Sequence, residues 1–286
     1  MSANKLRGES MKIKRSERLV DMTDYLLNRP HTLIPLTFFA KRYDSAKSSI
    51  SEDLTIVKKT FQERGIGLVE TVPGASGGAK YIPYILKEAA DEFMSEVIEI
   101  LNNSQRLLPG GYVYMSDILG DPEKLRFLGR IIVTQYLNQR VDAVLTVATR
   151  GIPIAQAASS YLNVPLVIAR HDSNITEGST VSVNYVSGSS KKIKRMTISK
   201  RSLAENSNVL IVDDFIHGGG TINGLTSLIE EFNCNLVGST FFAEGAYSNS
   251  QEFGNYTSLV KMENEPDGDM RITKGNYDEK IFGSAK

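Results

Sequence analysis

The sequence predicts two successive domains, an α+β domain followed by a larger α/β domain with a mostly parallel sheet. Amphipathic helical patterns and two strand-like segments fill residues 11–84, whereas apolar strands alternate with helices from Val141 onward. The two parts also carry opposite net charge. We therefore expect domains at 11–84 and 85–286, with a connecting helix over about 87–103 at the start of the second.

The composition is that of an ordinary globular protein. With 286 residues and 41% hydrophobic content, the chain is long enough to build two cores. It has no apolar run near the roughly 20 residues that span a bilayer, and its N-terminus is too polar for a signal peptide, which predicts a cytoplasmic protein without a membrane partner. The single cysteine, Cys234, excludes an internal disulfide. Because residues 1–10 lack periodicity and Met11 begins a basic run, we expect Met11 to be the natural start.

The net charge of zero hides an asymmetry between the two parts. Residues 1–84 carry 14 Lys and Arg against 9 Asp and Glu, a net of +5, and the remainder carries 19 against 24, a net of −5. A basic front part favours a polyanionic partner for the first domain, although a charge surplus alone is weak support.

Three helices and a hairpin are predicted in the first domain. The first helix runs from Ser16 to about Leu27, and the second runs from Pro35 through Arg42. A third begins near Lys47 and has apolar residues at spacings of three and four along one face. Strand-like segments at 66–72 and 79–84 flank a glycine-rich loop, which completes the pattern of a winged helix.

A winged helix places the start of its third helix in the DNA major groove, where short polar residues and a lysine suit base edges. The alternatives are a small α+β domain whose charges serve solubility, or a domain that binds RNA. The residues predicted to contact DNA are Lys12, Lys14, Arg15, Arg18, Lys47, Ser48, Ser49, Ser51, Lys58, Lys59 and Lys80.

The second domain alternates between helices and buried strands, which favours a parallel sheet. The predicted helices are 87–103, 122–138, 154–162 and 221–232. The predicted strands are 141–147, 164–169, 209–212, 236–243 and an edge strand at 258–262.

The most informative stretch is VLIVDDFIHGGGT at 209–221. Asp213 and Asp214 follow an apolar strand, and in open α/β sheets the crevice beyond the carboxyl ends of the strands binds ligands. Two adjacent carboxylates suit a vicinal diol, while the glycines and Thr221 suit a phosphate at a helix start. The stretch therefore predicts a phosphoribosyl ligand. The alternative is a buried strand in which Asp214 caps a helix and the glycines serve only the turn.

The same stretch resembles the 5-phosphoribosyl-1-pyrophosphate (PRPP) signature of type I phosphoribosyltransferases, which implies a phosphoribosyltransferase-like α/β fold. The loop Ala148-Thr149-Arg150-Gly151 resembles the diphosphate loop of that family. One departure is that His217 and Gly218 stand where the family usually has two threonines. The predicted PRPP-binding residues are Asp213, Asp214, Phe215, Ile216, His217, Gly218, Gly219, Gly220, Thr221, Thr149, Arg150 and Gly151.

A long polar segment, 170–202, lies between two predicted strands. In the resembled family a mobile flap at this place closes over PRPP, and the alternative is a solvated hairpin. The predicted flap residues are Arg170, Lys191, Lys192, Lys194 and Arg195. No spacing of Cys, His or carboxylates predicts a protein metal site, so any Mg²⁺ is expected to be held by the diphosphate and water.

Nearly everything after Met11 resembles the purine operon repressor family of Gram-positive bacteria, including KSSISEDL, TVPGASGGAKYIP, PGGYVYMSDILG, TVATRGIP and TEGSTVSVNYVSGSS. The resemblance implies a homodimeric transcriptional repressor of purine biosynthesis genes that binds operator DNA with inverted repeats. PRPP would bind to a sensor domain without catalytic residues and release the DNA, and purine nucleotides such as (p)ppGpp could compete for the site.

Two other functions are compatible with the residues. One is a purine phosphoribosyltransferase of salvage with an accessory winged helix, although the sequence reveals no base pocket. The other is a DNA-binding protein whose second domain has lost its ligand.

Overall fold

The structure is a computed structural model that describes residues 13–74, 77–108, 112–171, 178–187, 192–246, 255–264 and 270–283. The chain divides into two compact units, Met1–Tyr84 and Ile85–Lys286. Lys12, which was predicted to contact DNA, and Lys191, which was predicted to belong to the flap, lie outside the described residues.

Unit 1 combines helices with a small antiparallel sheet. Its helices are α1 (Arg15–Leu27), α2 (Leu36–Arg42) and α3 (Lys47–Glu63). Its strands are β1 (Ile34–Pro35), β2 (Gly67–Val72) and β3 (Gly78–Pro83), in the order β1-β3-β2. The short strand β1 was not predicted; Pro35 ends this strand and stands at the N-cap of α2.

The core of unit 1 is built largely on α3. Ile50, Leu54, Val57 and Phe61 are each at most 3% exposed, as their helical spacing predicts. The face also contains a fully buried carboxylate, Asp53, which the sequence pattern does not distinguish from its exposed neighbours.

Unit 2 is an α/β unit. Its helices are α4 (Lys87–Leu101), α5 (Ser116–Leu119), α6 (Pro122–Thr134), α7 (Ile152–Leu162) and α8 (Gly220–Glu231), with a π-helical turn at Asp278–Phe282. Asp121 caps α6 by accepting hydrogen bonds from the backbone N–H groups of Glu123 and Lys124, and Pro122 occupies the first turn. These features explain where α6 begins.

The strands of unit 2 form one central sheet and two hairpins among the described residues. The short hairpin joins β4 (Leu107–Leu108) to β5 (Tyr112–Val113) and was not predicted. The longer hairpin joins β8 (Thr180–Val186) to β9 (Ile193–Ser199). The central strands are β6 (Ala143–Val147), β7 (Leu166–Ala169), β10 (Asn208–Ile216), β11 (Asn235–Glu244), β12 (Thr257–Asn264) and β13 (Met270–Lys274).

The central sheet has the order β13-β12-β11-β10-β6-β7. Every pairing in it is parallel except that of β12 with β13, which confirms the predicted mostly parallel sheet. The prediction that 258–262 forms an edge strand is wrong, because β13 pairs with β12 and occupies the edge.

The register of β10 against its two neighbours determines where Asp213 and Asp214 lie in the sheet. β10 pairs with β11 from Asn208 to Ile216 but with β6 only from Val209 to Ile211, so the pairing with β6 ends before Asp213 and Asp214. The predicted end of this strand at Val212 is therefore wrong, and Asp213 and Asp214 lie within β10. Because the chain passes from β6 to β7 on one side and later returns to β10 on the other, the boundary between β6 and β10 is a topological switch point.

Candidate functional site

Two adjacent acids, one buried and one half-buried, occupy the switch point. Asp213 is 4% exposed, and the Thr146 hydroxyl on β6 donates a hydrogen bond of 3.0 Å to its Oδ1. Asp214 follows on the same strand and borders an open cavity.

The surroundings favour the protonated forms of both acids. Burial, followed by the negative charge of Asp214, raises the pKa of Asp213. Burial also raises the pKa of Asp214, while the positive charge of Arg150 acts in the opposite direction. Because burial outweighs the hydrogen bond from Thr146 in this balance, a ligand that brings further hydroxyl donors would relieve the cost of burying the carboxylates.

The loop from β6 to α7 packs directly onto Asp213. A Cβ atom on Gly151 would lie 1.7 Å from Oδ1 of Asp213 and 2.4 Å from Oγ1 of Thr146, so the backbone fits there only with glycine. Thr149 and Arg150 precede it and are exposed, and the Ala148–Thr149 peptide bond is cis. The structure thus brings the predicted diphosphate loop beside the acidic pair.

The glycine loop lies beyond the end of β10. Gly218 and Gly219 both have a φ of 64°, a conformation that L-residues rarely adopt. Gly219 stands at the N-cap of α8, whose first turn contains Gly220 and Thr221. Backbone N–H groups in such a turn at a helix start form an anion-binding concavity, as the sequence predicts for a phosphate.

Phe215, Ile216 and His217 connect the acids to this loop. Ile216 is buried, and the exposed His217 stacks on Phe215 with ring centroids 6.1 Å apart. A Cβ atom on Gly245 would lie 2.6 Å from Nδ1 of His217, so the imidazole packs against the end of β11.

A cavity of about 380 Å³ opens beside the acids. Arg150 and Asp214 contribute to its wall, together with Pro153 at the start of α7. The remaining lining is mostly apolar or aromatic: Leu108, Tyr112, Val113, Tyr114, Met115, Ser116, Leu119 and Gly120. A base pocket could not be predicted, because the residues that line this cavity are far apart in the chain. The one available signal was the aromatic run Tyr112-Val113-Tyr114.

An ion pair stabilises the wall of this cavity. Both Nη atoms of Arg106 donate to the Asp117 carboxylate, at 2.8 and 2.5 Å, and Nη1 also donates to the Tyr114 carbonyl. This bidentate pair joins the residue before β4 to α5 and lowers the pKa of Asp117.

The predicted flap is a hairpin with one face packed against the core. Tyr185, Met196 and Ile198 are at most 9% exposed, and the Tyr185 ring lies against Gly224 of α8. Its basic residues Lys192, Lys194 and Arg195 are exposed, and Arg195 donates to the Ser182 hydroxyl. Arg170 bridges to Thr197 through the backbone. One face of the hairpin is thus packed on the sheet and α8, in contrast to a wholly solvated hairpin.

The residues predicted to contact DNA lie in different environments of unit 1. At the start of α3, Lys47, Ser48 and Ser51 are exposed and Ser49 is half-buried. Of the other predicted lysines, Lys80 pairs with Glu70 at 2.9 Å, and Lys59 lies 3.7 Å from Glu63. Lys58, which also lies on α3, is half-buried. At the other end, Lys14 is exposed, whereas Arg15 and Arg18 bind Asp53.

The described residues contain neither a metal-binding cluster nor a membrane-spanning helix. No group of three or more His, Cys, Asp and Glu side chains is placed to hold a metal ion. No described helix has the length and apolar character needed to cross a membrane.

Two family models match the chain. The model described as "Bacterial purine repressor, N-terminal" matches residues 14–83, and the one described as "Phosphoribosyl transferase domain" matches residues 118–268. The matches follow the order of the two units and together cover most of the chain.

Curated relatives match over nearly the full length. The purine biosynthesis transcriptional repressor PurR of Bacillus subtilis is 52% identical over 269 residues, covering 93% of this chain and 94% of that protein. The purine biosynthesis transcriptional activator PurR of Lactococcus lactis is 50% identical over 251 residues, covering 88% and 93%. The xanthine phosphoribosyltransferase of Alkaliphilus metalliredigens is 35% identical over 129 residues, covering 43% of this chain and 61% of that protein.

Solved structures similar to this chain are adenine phosphoribosyltransferases. Those of Thermoanaerobacter pseudethanolicus and Saccharomyces cerevisiae each have a TM-score of 0.52, at 21% and 19% identity. They cover 58% and 59% of this chain and 98% and 97% of their own. At this identity the likeness concerns the fold, and it confirms the predicted phosphoribosyltransferase-like architecture of the second part.

Proposed function

The chain belongs to the PurR family of purine biosynthesis transcriptional regulators, and from this premise we propose that it is a repressor that PRPP releases from operator DNA. It regulates the transcription of purine biosynthesis genes. The relatives include a protein named as a repressor and one named as an activator, so the direction of the effect and its control by PRPP are parts of the proposal.

The observation that carries the ligand proposal is the acidic pair at the switch point. Asp213 is buried beside the Thr146 hydroxyl, Asp214 borders the open cavity, and the glycine loop at the start of α8 lies on the same strand–helix connection. The ribose hydroxyls of PRPP would donate to the two acids, and its 5-phosphate would accept from the loop N–H groups.

The diphosphate of PRPP would lie beside Arg150 and the backbone of the loop that Gly151 ends. Since no metal-binding cluster occurs among the residues described, Mg²⁺ would be held mainly by diphosphate oxygens and water. Magnesium would then belong to the effector complex and neutralise part of the diphosphate charge.

The aromatic cavity supports competition by a purine nucleotide. Its volume of about 380 Å³ and its tyrosines suit a planar base, while Arg150 and Asp214 at its rim suit a phosphate and a ribose. Nucleotides such as (p)ppGpp would compete with PRPP for these groups.

Release from DNA follows from linkage. PRPP must bind the DNA-free form more tightly than the DNA-bound form, and DNA must then weaken PRPP binding by the same factor. A homodimer would present two copies of α3 to an inverted repeat.

The rival proposal is a purine phosphoribosyltransferase, and the aromatic cavity provides the base pocket that this function requires. Against turnover, His217 and Gly218 replace hydroxyl side chains in the phosphate loop, and the near full-length relatives are named as regulators. We therefore propose that unit 2 binds PRPP without consuming it.

Calorimetry and a pyrophosphate assay test this proposal together. We expect the intact chain to bind PRPP with magnesium present, and to release no pyrophosphate when adenine, guanine, hypoxanthine or xanthine is added. Pyrophosphate release that depends on one of these bases would identify an enzyme. Failure to bind PRPP would instead indicate that unit 2 has lost its ligand.

A further inference from the structure

Asp53 is a fully buried carboxylate on α3, the helix proposed to read DNA. Nε of Arg15 donates to its Oδ1 at 2.8 Å, and Arg18 reaches its Oδ2 through Nε at 2.9 Å and Nη2 at 2.8 Å. Two guanidinium groups from the first turn of α1 therefore converge on one carboxylate of α3. Because such an ion pair is costly to bury, its presence is weak evidence that it evolved for stability alone.

The two arginines differ in what they leave accessible. The Arg18 side chain is 12% exposed, and its Nη1 also lies 3.4 Å from the carbonyl of Ile13. The Arg15 side chain is 53% exposed. Among the residues that the structure describes, Arg15 makes its hydrogen bond to Asp53 through Nε, and its Nη2 lies 3.8 Å from Glu52. Arg15 is thus held at its inner edge while its outer edge faces solvent.

We infer that Asp53 is a positioning residue for DNA binding, which holds the outer edge of Arg15 against a backbone phosphate beside α3. The inference rests on the proposed DNA-binding function. Asp53 belongs to the second turn of α3, directly after the exposed turn of Lys47 and Ser48. A helix that enters the major groove with its first turn has phosphates beside its next turn, at the place where Arg15 is fixed.

The pairing explains why a carboxylate is tolerated beneath a DNA-binding surface. An arginine has several rotatable bonds, and fixing its planar guanidinium before binding reduces the entropy lost when it meets a phosphate. The negative charge of Asp53 is neutralised by two arginines, so its repulsion of a phosphate is weak. Arg18 then serves the unit internally, while Arg15 contacts the DNA.

If Asp53 fixes Arg15, its replacement should change DNA affinity in the direction opposite to that expected from charge alone. Replacement of Asp53 by Asn removes a negative charge, which on charge alone strengthens DNA binding and steepens its salt dependence. We expect Asp53→Asn to weaken operator binding roughly fivefold instead, because a neutral amide no longer fixes Arg15. The matched control is Glu52→Gln, which removes the neighbouring, 72% exposed acid and should leave affinity unchanged or increase it.

Operator affinity of the intact chain is measured against salt concentration, at a temperature where each variant is folded. Tighter binding by Asp53→Asn than by wild type would overturn the inference. If Asp53→Asn does not fold, Arg15→Gln decides, because it leaves the contact between Arg18 and Asp53 in place.

For Arg15→Gln we expect roughly tenfold weaker binding and a salt slope smaller by about one, the value for one lost phosphate contact. An unchanged slope would overturn the inference while the proposed function stands. If wild type itself shows no preference for operator over a scrambled duplex, the DNA-binding proposal fails instead.

Discussion

Each unit buries acidic side chains, but in opposite ways. Asp53 in unit 1 receives hydrogen bonds from two arginines of the same unit. Asp213 in unit 2 receives one from the Thr146 hydroxyl, and the charge of Asp214 beside it is repulsive. The difference separates an acid whose partners come from the chain from a pair that needs partners from a ligand. Removing Asp53 should therefore destabilise the fold, whereas removing Asp213 and Asp214 should leave the fold intact and weaken ligand binding.

The largest effect is expected for Asp53→Ala. The substitution leaves Arg18 buried without a counter-charge, which typically costs about 3–5 kcal/mol of unfolding free energy. Denaturant titration of the intact chain measures this loss, with Glu52→Ala as the exposed control on the same helix. A loss below about 1 kcal/mol would show that the Asp53 ion pair does not hold α1 against α3.

The double substitution Asp213→Ala with Asp214→Ala should spare the fold and remove the ligand response. No described ion pair is broken, so we expect unchanged or higher stability and unchanged operator binding. Loss of two charged acceptors for the ribose hydroxyls should weaken PRPP roughly 100-fold or more. Calorimetry measures this change, and Glu231→Gln at the other end of α8 is the control. PRPP affinity within roughly threefold of wild type would remove the acids from the site.

Gly151→Ala should have an intermediate effect. The added methyl group would displace Asp213 or the loop, because the Cβ position lies 1.7 Å from Oδ1. Loss of one charge-assisted hydrogen bond corresponds to about tenfold weaker PRPP binding. Ser160→Ala, on the exposed side of α7, is the control. Unchanged PRPP affinity would contradict the proposed contact between the ligand and this corner of the crevice.

The last prediction concerns pH. The pKa of Asp213 is higher in the folded chain than in the unfolded chain, so the stabilising contribution is complete below the unfolded pKa of about 4 and is lost as pH rises toward the folded pKa. Over this window the unfolding free energy should fall with pH, by at most about 1.4 kcal/mol per pH unit for one carboxyl. Denaturant titrations at several pH values should show a shallower fall for Asp213→Asn. Parallel pH profiles for the two proteins would contradict this assignment.

Local patterns predicted much of the fold and part of the site. The spacing of Ile50 and Leu54 predicted the buried face of α3, and the acids followed by glycines identified the crevice. The predicted end of β10 was too early, because its last residues pair with β11 and this pairing is not visible in the chain itself. β13 was missed because its alternation of Met270 and Ile272 with polar residues extends over only five residues.

The two features that the sequence did not reveal depend on distant contacts. Asp53 has the appearance of an exposed helix residue until Arg15 and Arg18, 38 and 35 positions away, are placed beside it. The aromatic cavity needs Tyr112 and Tyr114 to meet Arg150 and Asp214. Such sites arise from folding, so periodicity alone could not predict them.

Coupling between the two units is the central claim, and one titration tests it most directly. Operator DNA is immobilised, the intact chain is bound at fixed salt with magnesium, and PRPP is added while the retained protein is measured. We expect saturable release by PRPP at concentrations near its calorimetric dissociation constant, and no release from the Asp213→Ala, Asp214→Ala double variant. Full retention of wild type at PRPP concentrations that saturate the free protein would contradict the account.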